Sequence, residues 1–551
     1  MKNLNFSLLL TALWALGLNA FAQGDIAWKS NFGGSGNDYY IMVTAVADGV
    51  VAAGYSGGES FGNGDWTGVT GNGSIDAVLV KYDNNGNIVW KRNFGGSGDD
   101  YFTSAITVSD GIIASGYSDG TSFGNGDWTG VNGKGGYDAI LVKYDNSGNV
   151  VWKKNFGGSG NDMFLSVTAT SDGFIAVGQS DSFGNGDWNG IEGKGGSDAI
   201  LVKYDNNGNV VWEKNFGGND NDDYRSATVV SDGIIAVGCS YGDSFGNGDW
   251  AGVTGKGGGD AILVKYDNNG NVVWKTNFGG NGTDDYRSIT TVSDGVIAVG
   301  VSRDQSFGNG DWTGIAGHSI NYGFDAIMVK YDNSGNVAWK TNFGGSSEDS
   351  FSYVTAVSDG IIVTGQSIIM GDGDWTGIVG HGSYDAIMVK YDYNGNVLEK
   401  TNFGGDDDDW FGRGVVAVPG GIVVIGYSYG GSFGNGDWTG VAGKGNWSGM
   451  LEHGDTDAII VKYGADGTNI PQLTPPTSGL TIYPNPANDK AQIFVPASLA
   501  SPTIRIFDMT GKIAAAYPCT GATTTVDVSH LQPGIYFVEV AGKTGKLLIK
   551  R

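Results

Sequence analysis

The chain has 551 residues, room for one large fold and a smaller one. Glycine supplies 98 of them against an ordinary ~7%, but no three-residue glycine period exists, proline numbers only 10, and 40% of residues are hydrophobic, which excludes collagen and disorder. Only 16% are charged and the net charge is −26, a surface that repels phosphate backbones and argues against nucleic acid as a partner.

Residues 1–22 combine one lysine, an apolar run from Phe6 to Leu18 and the small-residue site Ala20-Phe21-Ala22. That is the pattern of a secretory signal peptide, and cleavage there starts the mature chain at Gln23. No later segment approaches the ~20 apolar residues of a membrane-spanning helix. The two cysteines, Cys239 and Cys519, are too far apart to form a disulfide framework.

The rest of the chain repeats itself. Asn-Phe-Gly-Gly starts at Asn31, Asn93, Asn155, Asn215, Asn277, Asn342 and Asn402, every 60 to 65 residues. Gly-Asp-Trp ends at Trp66, Trp128, Trp188, Trp250, Trp312, Trp375 and Trp438, and an Asp-Ala-x-x-Val-Lys-Tyr run also occurs seven times, from Asp76 to Asp457. A period of this size means stacked or radial repeats. Each unit reads as four short strands joined by Asp-Gly and Asn-Gly hairpin turns and one long polar loop, without helical periodicity. The fold expected is all-β, a seven-bladed β-propeller of four-stranded blades over residues 23–463. The seventh unit lacks its fourth strand, and Ile26–Phe32 carries the missing pattern. The N-terminal strand is therefore expected to complete the last blade and close the ring, which removes exposed edges.

Trp-x-x-x-Phe-Gly-Gly-Ser-Gly-Asn-Asp, the Asp-Gly turn and Asp-Ala-x-x-Val-Lys-Tyr-Asp-x-x-Gly-Asn-x-x-Trp resemble the bacterial β-propeller repeats called SBBP, from about Trp28 to Tyr463. The resemblance implies a propeller in a secreted or surface setting and no particular activity. Two features depart from it: the Gly-Asp-Trp loop in every unit, and Glu399 in place of the strand tryptophan.

Residues 464–479 read as a proline-rich linker, and 480–551 as a small Ig-like β-sandwich. That tail carries 7 Lys/Arg against 4 Asp/Glu, whereas 23–463 carries 24 against 53. Tyr483-Pro484-Asn485-Pro486, Asp508-Met509-Thr510-Gly511-Lys512, Gly534-Ile535-Tyr536 and Gly545-Lys546 through Lys550 resemble the type A C-terminal sorting domain of the type IX secretion system in Bacteroidetes. The resemblance implies export by that machinery, removal of the tail by its C-terminal signal peptidase, and release or attachment at the cell surface. An ordinary Ig-like binding module is the alternative.

The long loops fall together on one face of the ring, and function usually sits on loops held by a rigid scaffold. The seven Gly-Asp-Trp tryptophans suit stacking against a sugar, with Asp and Asn taking its hydroxyls, or else they plug the gaps between blades. The acids of the between-blade loops, Asp38, Asp100, Asp162, Asp223, Asp285, Asp349 and Asp409, together with those of Gly-Asp-Trp, Asp65, Asp127, Asp187, Asp249, Asp311, Asp374 and Asp437, suit calcium or simple turn capping. A single active site should break the sevenfold pattern. His318 and His381 do so, replacing the lysine of other units, and His453 lies in an extra loop, 446–454. Cys239 reads as a core residue.

Three functions stay open on the sequence. The first is a monomeric, non-enzymatic exported propeller, with no required cofactor, that binds an extracellular glycan or surface polymer through its long-loop face. The second is a secreted polysaccharide hydrolase with a site near the ring axis. The third is a calcium-stabilised structural surface protein.

Overall fold

The computed structural model describes residues 26–464, apart from 320–322, 358 and 445–455, and, beyond them, 481–483, 490–494, 503–507, 513–519, 523–529, 531, 534–540 and 543–549. The signal segment, the linker, the 446–454 loop with His453, and Pro484, Asn485, Pro486 and Lys550 lie outside the described residues. Two compact units divide the chain, Met1–Ile470 and Pro471–Arg551.

Ile26–Phe32 (β1) precedes the first repeat, whose strands are Asp38–Val46 (β2), Gly49–Gly57 (β3), Ile75–Asp83 (β4) and Ile88–Phe94 (β5). The central strands, GVVAAGYSG and IDAVLVKYD, are almost wholly buried. Their near-continuous apolar runs, rather than an alternating pattern, fit strands covered on both faces. The outermost strand is wetter, with Val89 52% exposed.

Turn chemistry sets the register. Between β4 and β5, Asp83 Oδ1 accepts from the amides of Asn85 (2.9 Å) and Asn87 (2.8 Å), and Gly86 takes φ 84°, a value that strains any side chain. Asp-Asn-Asn-Gly-Asn is thus a side-chain-capped hairpin. The lysine of Asp-Ala-x-x-Val-Lys-Tyr pins the other hairpin: Lys81 reaches Asp48 at 2.8 Å, and Lys143–Asp110, Lys265–Asp232 and Lys390–Asp359 repeat the pair.

Among the described residues the repeats form seven four-stranded antiparallel sheets. Their first strands pack in cyclic order, β2 against Asp100–Val108 and so round to Asp409–Val418, which packs against β2 again. The result is a β-propeller-like ring. Its last sheet, Asp409–Val418, Gly421–Tyr429 and Thr456–Gly464, takes β1 as its fourth strand, with Phe32 opposite Ala458. The apolar core lies in wedges between neighbouring sheets: Val51 and Leu79 of the first sheet meet Phe102, Trp128 and Ile140 of the second. Each first strand carries a β-bulge, and in the seventh it is longer, enclosing Gly412-Arg413-Gly414 between the pairs Phe411–Gly426 and Val415–Val424.

Among the described residues the second unit has two antiparallel sheets. One pairs Thr481–Tyr483, Lys490–Phe494 and Thr523–Asp527; the other pairs Ile513–Pro518, Thr503–Phe507, Gly534–Val540 and Lys543–Ile549. Ala491, Ile493, Ile504, Ile506, Val526, Val538 and Leu547 form one core, against which Cys519 and Tyr536 pack. Tyr483, Gly534, Gly545 and Lys546 sit in these strands.

Deleting residues 23–32 bares the edge of Thr456–Gly464 and removes the fully buried Phe32. The shortened chain is expected to melt several degrees lower and to self-associate, read by calorimetry and light scattering.

Candidate functional site

The repeated acids and tryptophans build the ring rather than a surface site. Asp38 is fully buried, and its carboxylate accepts from Trp66 Nε1 (3.1 Å), Ser60 Oγ (2.7 Å) and the Gly34 amide (2.9 Å); Trp66 Nε1 also reaches Ser56 Oγ at 3.1 Å. The same indole–carboxylate bond joins Trp128 to Asp100, Trp188 to Asp162, Trp250 to Asp222, Trp312 to Asp284, Trp375 to Asp349 and Trp438 to Asp409. All seven indoles are 0% exposed, and Trp66 is boxed by Phe32 and Phe61, each 4.9 Å away. A sugar has no indole face to stack on, so of the two readings the sequence allows, sugar platform or plug between blades, these seven residues take the second.

Two expected acids are corrected. The indole-bonded position belongs to Asp222 and Asp284, opposite Ser240 and Ser302, while Asp223 and Asp285 are the next residues along. At the five other expected positions the carboxylate faces N–H and O–H donors, whereas a calcium shell needs six to eight oxygens. Among the described residues no group of three or more His, Cys, Asp or Glu is placed to share a metal ion.

The Gly-Asp-Trp acids serve the seams. Asp65 takes the Gly33 amide at 3.2 Å and Lys444 of the preceding sheet at 3.4 Å; Lys134–Asp187, Lys194–Asp249 and Lys256–Asp311 repeat the ion pair, and Asp127 takes Asn72 instead. His318 and His381 stand in the lysine's place. His318 Nε2 lies 3.7 Å from Asp374, and His381 Nε2 lies 3.5 Å from Asp437. The neighbouring Asp325 carboxylate raises the pKa of His318. Each histidine bridges its own seam, so the two do not come together in one site.

Symmetry breaks at the axis instead. The residue after each buried aspartate is Tyr39, Tyr101, Met163, Asp223, Asp285, Ser350 and Trp410 in turn, and its partner on the second strand is Tyr55, Tyr117, Gln179, Cys239, Val301, Gln366 and Tyr427. The aromatic members touch in an unbroken arc over four sheets: Tyr384–Trp410 (5.4 Å), Trp410–Tyr427 (5.4 Å), Tyr427–Tyr39 (4.7 Å), Tyr39–Tyr55 (4.8 Å), Tyr55–Tyr101 (4.9 Å), Tyr101–Tyr117 (4.8 Å) and Tyr117–Tyr137 (5.3 Å). All are half-buried. Tyr39, Tyr55 and Tyr101 line a cavity of about 760 Å³ that the long-loop residues Gly36, Asn37 and Glu59 complete. Across the axis Asp223 pairs with Arg225 (3.1 Å), which also contacts Asp285. Burial pushes the Cys239 thiol well up, so it is no nucleophile. The signal for this arc was present in the sequence as a pair of facing strand positions that vary among the repeats; attention to what repeats passes over them.

Two outcomes follow from the buried ring. Trp128→Ala is expected to lower stability by about 3–5 kcal/mol in urea unfolding, since it empties a core site and strips a donor from Asp100. Burial holds Asp38, Asp100 and Asp222 at about 6 and Asp349 and Asp409 at about 7, above the ordinary 3.8. The folded ring therefore binds protons that the unfolded chain has released, and this stability is lost as pH rises through 6 to 7. Thermal melts should show a Tm several degrees higher at pH 5 than at pH 8.

Comparison with known proteins bears on the fold and the tail separately. Regulatory protein FlaEY of Caulobacter vibrioides is 31% identical over 200 residues, which are 34% of this chain and only 19% of that protein. Among solved structures, the WD40 beta propeller domain of Doa1 aligns over 79% of this chain and 97% of its own at 12% identity and a TM-score of 0.36. BamB from Moraxella catarrhalis aligns over 77% and 99% at 13% identity and a TM-score of 0.33. Such loose superpositions add nothing to the strand order described above. Residues 481–551 match the family described as Secretion system C-terminal sorting domain. The chain thus carries a type IX secretion sorting tail, which directs it to secretion or to the cell surface.

Proposed function

We propose that this protein is an exported, non-enzymatic seven-bladed β-propeller of the SBBP kind that binds an extracellular glycan or surface polymer at the axis, on the long-loop face. Its signal peptide starts export, and its Ig-like tail is handed to the type IX machinery and removed by the C-terminal signal peptidase. The observation that carries the reading is the arc of eight half-buried aromatic rings from Tyr384 to Tyr137, three of which, Tyr39, Tyr55 and Tyr101, line a cavity. Rings held by T-shaped and tilted contacts with their neighbours present a rigid apolar surface that also carries phenolic hydroxyls. A sugar's apolar face and its hydroxyls need both. The scaffold repeats sevenfold, yet this arc covers only four sheets, as a site for one ligand requires.

A polysaccharide and glycan array on the chain lacking residues 1–22 tests this. Tyr101→Ala is expected to weaken retention about tenfold while the melting curve stays within a few degrees. A blank array, or a Tyr101→Ala protein that binds as the parent does, overturns the reading.

A further inference from the structure

Opposite the aromatic arc the axis gathers charge that the binding reading above does not use. Arg225 and Arg287 occupy the same position on two successive first strands, two residues beyond Asp223 and Asp285. Arg225 grips Asp223 through Nε (3.1 Å) and Nη2 (3.2 Å) and also contacts Asp285, leaving Arg287 a looser pairing with Asp285 at 3.8 Å. The third arginine is Arg413. No other first strand has its counterpart: it sits in the enlarged bulge of the seventh sheet, between two glycines packed so closely on β2 that a Cβ on Gly414 would lie 2.7 Å from the Val43 amide nitrogen and one on Gly412 3.0 Å from the Tyr40 carbonyl oxygen. Bulges of this kind re-aim a side chain.

Arg413 makes no ion pair among the described residues, although it feels Arg225, Arg287 and both aspartates on one side and acts on Tyr117 of the aromatic arc on the other. Burial and the two other guanidinium groups push its pKa down to about 10. Three arginines therefore face two aspartates, a cationic surplus at the axis of a chain whose net charge is −26.

We propose that the half-exposed Arg413 seats a carboxylate or sulfate group of an acidic glycan. This inference rests on the reading of the axis mouth as a glycan site and narrows it to acidic polymers. A fork of N–H donors matches a planar carboxylate or a sulfate, and such charge-assisted bonds are stronger than neutral ones.

The test titrates the chain lacking residues 1–22 with tetragalacturonate, with its methyl ester, and separately with inorganic sulfate, read by calorimetry and thermal shift. The acid is expected to bind at least about tenfold tighter than the ester. Arg413→Gln erases that preference, Arg413→Lys keeps part of it, and sulfate raises the melting temperature of the parent but not of Arg413→Gln. Should Arg413→Gln fail to fold, Arg413→Met supplies the same comparison. Equal binding of acid and ester, or a preference that survives Arg413→Gln, overturns the anion seat and leaves glycan binding standing. Arg413-dependent stabilisation by sulfate with no binding of either saccharide supports the seat and removes the glycan reading. No response to any of the three removes both.

Discussion

A single hydrogen bond, from a buried indole to a buried carboxylate, is the contact on which the ring depends. Trp66 and Asp38 are both 0% exposed, and the bond between them at 3.1 Å ties the long loop after β3 to the start of β2. Without the aspartate the indole N–H would be buried unpaired; without the indole a large wedge of core would be empty. Two serines and a glycine amide complete the carboxylate's partners. In the sixth sheet Ile369-Met370 replaces the Ser-Phe pair found at Ser60-Phe61, and Ile369 is driven to φ 57°, yet Trp375 still donates to Asp349 at 2.8 Å. The loop chemistry can give way; the indole–carboxylate bond does not.

From that contact the seams follow. On the long-loop side a Gly-Asp-Trp acid meets a lysine or histidine of the preceding sheet. On the hairpin side a strand tryptophan lies on the next sheet's turn glycine: a Cβ on Gly148 would approach the Trp90 ring to 3.0 Å, and Trp90 Nε1 donates to Asn146 O. Glu399 now has a reason. The seventh sheet takes its fourth strand from the N-terminus, so it has no Asn-Gly turn to receive a tryptophan. The missing ring is the mark of the closure point.

Because every seam is satisfied by repeated residues, the axis is free to differ. Strand pairing there constrains only the backbone, and the side chain after the buried aspartate varies from Tyr to Asp to Trp without disturbing a wedge. The axis thus lays asymmetry over a symmetric frame, with one arc aromatic and the other charged.

Spacing alone determined the strand content, the repeat count and the source of the closing strand, since each depends on local turn chemistry and on which strand a unit lacks. The tail was legible through the resemblance of its contiguous motifs to a known sorting domain. What spacing left undecided were questions of burial and pairing. An indole beside an aspartate reads equally as a sugar platform or a core plug, and only its enclosure by Phe32 and Phe61 separates the two. The pair Asp222-Asp223 offers two candidates one residue apart, and a one-residue step in a strand reverses the side-chain direction. Trp250 then selects Asp222. The aromatic arc joins Tyr39 to Tyr427, residues at opposite ends of the ring's sequence. Closure of the ring brings them to 4.7 Å, and no local pattern encodes that meeting.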